Sequence, residues 1–337
     1  MNTASVSDTF VDEVRRLRAA YQKKRDTTTL VPPAGRPVLD VDADIVDGRT
    51  RYTYFYERDG ATEPQVVQLV DIPGTFSGAI LRLDANLPVR EDSYAITGNE
   101  IRPLTSLPPL PDSEDDDSED ISDALATLPV VAVDPDKHFL KKGKYASEID
   151  NLLACQGGSC PGTRGSPHIV KLLGRSSQGE LVFEKHKPRY ILAAAVYPLS
   201  VYRAWILQLV DGLRYLHSLD IVHRDLRIDN VLFTFTGHDD DSRLVICDLE
   251  GRWGNRLAPE VSRLPTLDAG WTKASDVYDL GVTIRGMVYG NAPITGQVEW
   301  KVPAPLDKIV EACTRVLPAD RPSLDEIRDM METLDIS

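Results

Sequence analysis

A polar octapeptide, His223-Arg-Asp225-Leu-Arg227-Ile-Asp-Asn230, lies between an apolar, helix-periodic run and the buried-strand pattern Val231-Leu232-Phe233. The preceding run sets the constraint. Trp205, Ile206, Leu209, Val210, Leu213 and Leu216 recur at helical spacing between Val201 and His217, so one face of a helix is committed to a core. A short loop fixed between a core helix and a core strand can aim the Asp225 carboxylate and the Asn230 amide into one cleft. A single loop Asp ordinarily makes a turn or a cap, so the octapeptide takes its meaning from its companions downstream.

The chain has 337 residues and a formal net charge of −14. That charge argues against nucleic acid, whose phosphates need clustered Lys and Arg, and against an anionic membrane surface. No stretch approaches the ~20 apolar residues of a membrane helix, and residues 1–30 lack the apolar centre of a signal peptide. Cys155, Cys160, Cys247 and Cys313 are too scattered for a disulfide framework. These features predict an intracellular protein, cytoplasmic or nuclear. Cys155 and Cys160, with His168 beyond, lack the second close ligand pair that zinc requires.

Along the chain, residues 1–30 are expected to hold a solvated amphipathic helix over 8–25. Residues 31–111 form a β-rich extension that could contribute to a small lobe. In it Tyr52–Tyr56, Val66–Val70 and Ala79–Leu83 read as strands between Asp-Gly and Pro-Gly turns. Residues 112–124 are an acidic linker, with seven acids among the nine residues 112–120. The run is expected to be solvated and disordered, and would otherwise suit a basic partner. A compact domain follows over 125–335. Val130–Val133 and His138–Lys142 are expected as a hairpin, Tyr145–Ala154 as a helix, and Ile169–Leu173 and Leu181–Phe183 as strands. The segment after Lys273 is mainly helical. Strands first and helices later predict a two-lobed α+β body, with a small lobe over 125–184 and a large lobe over 188–335.

Downstream of His223-Arg-Asp225 and Asn230 come, in order, Asp248-Leu-Glu-Gly251 after the apolar Leu244–Cys247, then Ala258-Pro-Glu260, Asp276-Val-Tyr-Asp-Leu-Gly281 and Arg321-Pro322. With these elements residues 125–335 resemble the eukaryotic protein kinase family. The resemblance implies a small β-rich lobe over a large helical lobe, and use of ATP and Mg2+. It implies that Asp225 orients the acceptor hydroxyl, that Asp248 and Asn230 hold metal, and that Arg227 reaches the transferring phosphate. Lys141, with Lys142 as fallback, would hold the nucleotide phosphates, with Glu148 as its partner. Phe183, Glu184 and His186 would flank the adenine. His223 and Asp276 would be structural, and Arg321 would pair with Glu260.

The chain also departs from that pattern. No Gly-x-Gly-x-x-Gly precedes Lys141; Gly74-Thr-Phe-Ser-Gly78 is the nearest approach and reads as an ordinary turn. Glu250 stands where the family has Gly. The thirteen residues from Asp248 to Glu260 contain no Ser, Thr or Tyr, so phosphorylation has no acceptor there. Three functions follow as expectations. The first is a protein kinase acting on protein hydroxyls, Ser/Thr by family frequency. The second is a pseudokinase that binds or scaffolds partners, and the third is a small-molecule phosphotransferase.

Overall fold

The computed structural model describes residues 5–26, 38–47, 49–58, 60, 62–70, 92–98, 100–110, 117–157, 165–187, 192, 195–234, 242–266, 269–289 and 301–336. Gly74–Gly78, Ala79–Leu83 and Cys160 lie outside them. Helix α1 (Val6–Asp26) starts where the Ser5 hydroxyl accepts from the Asp8 backbone N–H. Its Phe10, Val14 and Leu17 recur on one face and are buried in the main core. The expected solvated helix is therefore solvated on one side only. Arg18 anchors it further, donating to the carbonyls of Val288 and Ala195.

Strands β1 (Val38–Val46), β2 (Arg49–Tyr56), β3 (Gln65–Val70), β4 (Tyr94–Thr97) and β5 (Glu100–Pro103) form one sheet in sequential order. Only β3 and β4 run parallel. Alternation along β2 puts Tyr52, Tyr54 and Tyr56 on one face, and the register sets Leu69 against Tyr52 and Val67 against Tyr54. Val67, Leu69, Tyr94, Ile96 and Tyr56 make a separate small core on that face. Among the described residues no ladder joins this sheet to the one that carries Lys141.

That second sheet has the order β6 (His138–Lys141), β8 (Leu181–Glu184), β7 (Leu172–Arg175), with helix α3 (Ala146–Cys155) beside it. The expected Val130–Val133 hairpin does not form: β6 pairs with β8, and Val130 makes one bridge to Arg175. Pro129 and the Asp134-Pro-Asp turn leave the valine run too short for a ladder, and Val130 is exposed. Gly174, at φ +148, lets Pro129 approach, since a Cβ there would lie 2.3 Å from the Pro129 carbonyl oxygen. The described end of the acidic run docks on the protein: Asp117 accepts from the Tyr145 hydroxyl (2.6 Å) and the Trp253 indole (2.5 Å), while the Glu119 carboxylate accepts from the Ala146 N–H. Residues 112–116 of the run lie outside the described residues. A short helix, α2 (Ser122–Ala126), follows.

The large lobe is organised on α4 (Leu199–Ser218), whose fully buried Trp205 packs edge-on against Tyr197, Tyr202 and Phe233. Each such side chain contributes roughly 1.5–3 kcal/mol by leaving water. Strands β9 (Val231–Thr234) and β10 (Arg243–Ile246) form a hairpin ladder. Helices α5 (Pro259–Ser262), α6 (Lys273–Tyr289), α7 (Asp307–Cys313) and α8 (Leu324–Glu332) complete the lobe. Ser323 and Glu326 form a capping box at the start of α8. The fold is α+β and two-lobed. Among the described residues no helix is long and apolar enough to cross a membrane.

Candidate active site

The octapeptide is held from below. Asp276, fully buried at the start of α6, accepts from the backbone N–H of His223 (2.9 Å) and of Arg224 (3.0 Å), and bonds His217 Nε2 (2.8 Å). His223 is buried, with Nε2 at 3.0 Å from the Cys247 carbonyl, which ties the loop to the segment bearing Asp248. Thr283 adds a bond to the Leu226 carbonyl at 3.0 Å. With the backbone fixed, Asn230 Nδ2 donates to the Asp225 carboxylate at 2.9 Å and to its carbonyl at 2.8 Å. The Cys247 N–H reaches the Asn230 carbonyl at 3.0 Å, so Asn230 and Asp248 sit on adjoining backbones. Arg224 and Asp248 both have positive φ, +72° and +66°. Non-glycine residues adopt this conformation at an energetic cost, and it clusters at functional sites.

From the small lobe, Lys141 at the end of β6 reaches across. Its Nζ lies 2.8 Å from Glu148, 2.5 Å from Asp248 and 2.9 Å from Glu250. The seven-residue separation of Lys141 and Glu148 does not prevent the pair, because β6 ends just before α3 and Glu148 lies in the first turn of that helix. Lys142 is exposed. Burial opposes charge on Lys141, but Glu148 and Asp248 outweigh it and hold its pKa above the usual lysine range. Burial pushes the Glu148 carboxyl up against the pull of Lys141.

Asp225, Arg227, Asp248 and Glu250 line one cavity of about 520 Å3. Desolvation raises the Asp225 pKa, and the Arg227 charge opposes that rise. Arg227 itself bonds Asp229 at 2.7 Å. Phe183 is buried in β8, and Glu184 and His186 line a different cavity, with Cys155 and Arg243. The structure therefore does not bring those three side chains to Asp225. His168 contacts the Leu244 carbonyl.

The donor set suits a hard divalent cation. Glu148, Asp248 and Glu250 each offer an oxygen within 4.8 Å of the others, and carboxylate and amide oxygens are what Mg2+ takes. Buried Glu148 Oε2 has no hydrogen-bond partner among the described residues. Asp248 and Asn230 would hold the ion beside phosphate, with Glu250 at their margin.

The short segment after Asp248 is held without phosphate. Ser147 donates to the Glu250 carbonyl and Asn151 to that of Leu249 at 2.9 Å. Gly254 is required, since a Cβ there would lie 2.4 Å from the Arg224 carbonyl oxygen. Asn255 donates to Asp279, Trp271 donates to the Asn255 carbonyl, and the Arg224 guanidinium lies over the Trp271 ring. Glu260 and Arg321 pair through two bonds of 2.6 Å. Sequence reasoning missed the far wall of the cavity, which is made by Val41, Tyr52 and Tyr54 of the N-terminal sheet. The alternation at Tyr52 and Tyr54 marked a strand but not the surface it meets, and no strand was read at Val41.

Parts of this chain are similar to known proteins. Residues 163–251 match the protein kinase domain family. Mitogen-activated protein kinase kinase kinase 10 of Xenopus laevis is 28% identical over 207 residues, covering 51% of this chain and 20% of that protein. Mitogen-activated protein kinase kinase kinase 7 of Drosophila melanogaster is 25% identical over 235 residues, covering 59% and 32%. The chain thus spans about a fifth to a third of the length of these relatives. The kinase domain of Mycobacterium tuberculosis PknI superposes with a TM-score of 0.41 at 18% identity, covering 90% of this chain and 98% of that one. Over residues 163–251 the chain thus resembles the protein kinase domain family, and over about half its length it is similar to protein kinases.

Proposed function

We propose that the chain is an ATP- and Mg2+-dependent protein kinase that transfers the γ-phosphoryl group to a protein hydroxyl, of Ser or Thr by analogy with its relatives. The observation that carries this reading is the convergence of Lys141 from one lobe with Asp248 from the other, Asp248 sharing a cavity with Asp225, whose carboxylate Asn230 holds by a hydrogen bond. A fold kept only for binding has no need of that set. Metal, when bound, would neutralise charge on the phosphate oxygens. Lys141 grips the nucleotide phosphates and Glu148 keeps it aimed. Asp225 accepts the hydroxyl proton; its desolvated carboxylate is a stronger base than an exposed one. Asn230 holds that carboxylate in place, and Arg227 offers a planar fork toward transferring phosphate. The segment 248–260, fastened by Asn255, Trp271 and Glu260, works without being phosphorylated.

Glu250 favours the second reading, a pseudokinase, because it engages Lys141 where phosphate would bind. Transfer from labelled ATP to a generic protein separates the two. Asp225→Asn should lower transfer by about 10²–10⁴-fold while thermal unfolding stays as in the wild type. Equal transfer by both proteins overturns the mechanism. A thermal shift that responds to neither ATP nor Mg2+–ATP leaves the binding role.

A further inference from the structure

We propose that Tyr52 is a phosphorylation site, receiving its phosphoryl group within the same chain at the Asp225 site. The proposal rests on the kinase reading above. Strand β2 is hydrogen-bonded on both sides, to β1 and β3, so Tyr52 is carried on a rigid support rather than a free tail. The register sets Val41 opposite Tyr54, and alternation puts Tyr52 on the same face. These three residues close the cavity whose opposite wall holds Asp225, Arg227 and Asp248. A phenol is thereby enclosed with the base that would take its proton.

The surroundings suit a phosphate on that phenol. Arg256 is 4% exposed. Its terminal nitrogens donate to the carbonyls of Thr266 and Leu264, and its buried Nε–H has no partner among the described residues. Arg256 and Arg227 both lie within electrostatic reach of the Tyr52 phenol. A phosphate dianion there would gain two guanidiniums. Burial raises the Tyr52 pKa, so transfer needs a base, and the Asp225 carboxylate lines the same cavity.

The step balances with ATP as donor. A Tyr52 Oη lone pair forms the new O–P bond to the γ-phosphorus, and the bond from that phosphorus to the β,γ-bridging oxygen breaks. ADP leaves with the electron pair, and the phenolic proton passes to the Asp225 carboxylate. An acceptor tethered in the cleft has an effective concentration on the order of mM or more. It therefore need not match the hydroxyl preferred in separate proteins.

The test is mass spectrometry of the full chain, treated with phosphatase and then incubated with Mg2+–ATP at two protein concentrations tenfold apart, with casein in a parallel reaction. The expected result is phosphate on Tyr52 at the same first-order rate at both concentrations. It should be absent in Asp225→Asn and lost in Tyr52→Phe. Unmodified Tyr52, phosphate on Tyr54 instead, or a rate that scales with concentration overturns the proposal. Casein labelled while Tyr52 stays bare removes this proposal alone, whereas no transfer to either removes the kinase reading with it.

Discussion

The Asp225-loop side of the cleft and its Lys141 side balance their polar groups differently. Beneath the loop, fully buried Asp276 meets two backbone N–H groups and one imidazole, and Arg321, with a side chain 1% exposed, takes a single carboxylate partner in Glu260. Around Lys141 three carboxylates crowd one ammonium, leaving a surplus of negative charge. Asp248 and Glu250, at 32% and 22% side-chain exposure, keep water to screen that surplus, whereas Glu148 does not. A closed interior requires matched partners. A half-open one tolerates a mismatch that incoming cations can relieve.

The largest effect should come from breaking the matched side. Arg321→Ala strips Glu260 of its partner and frees the carbonyls of Ala274, Arg315 and Val316. Loss of one member of a buried pair costs about 3–5 kcal/mol, read by denaturant unfolding. A loss below about 1 kcal/mol would mean that the pair behaves as an exposed one.

Lys141→Met should cost about 3 kcal/mol near neutral pH, and this cost should vary with pH. The folded Glu148 pKa already lies above its ordinary 4.5, and removing Lys141 raises it further. A carboxyl raised in this way favours the fold fully below its unfolded pKa, and that contribution is lost as pH rises through the folded value. The gap between variant and wild type should therefore narrow as pH is lowered from about 8 to about 5. A gap that widened would place the stress elsewhere than on Glu148.

What the sequence revealed follows the same division. Asp225 and Asn230 were legible because their loop is fixed between a helix and a strand, whereas Asp248, Asp276 and the Glu260–Arg321 pair were legible through the resemblance of their motifs to the kinase family. Lys141 was legible only with Lys142 as rival, because strand alternation and not spacing decides which lysine faces inward. The valine run at Val130–Val133 misled, since apolar β-branched residues signal strand propensity without naming a partner. The docking of Asp117 on Tyr145 and Trp253 was hidden in a run whose composition suggested only solvation. The Val41, Tyr52 and Tyr54 wall was invisible for a related reason. A strand's alternation tells which residues share a face, and tertiary placement alone tells what that face covers.

Glu250 tests the mismatch with the smallest perturbation. Its Oε1 stands 2.9 Å from Lys141 Nζ, where a nucleotide phosphate oxygen would compete for the same ammonium. Glu250→Gln removes one negative charge and leaves Glu148 and Asp248 to aim Lys141. Partly exposed charges a few ångströms apart interact by roughly 1–4 kcal/mol, and solvent reduces the share felt by bound phosphate. ATP measured with EDTA present should therefore bind about tenfold tighter to the variant, equivalent to about 1.4 kcal/mol. With Mg2+ the gain should shrink, because the cation offsets the charge that the substitution removes. Equal affinity with and without the carboxylate would show that nucleotide leaves Glu250 undisturbed, and the crowding at Lys141 would then be a property of the empty cleft alone.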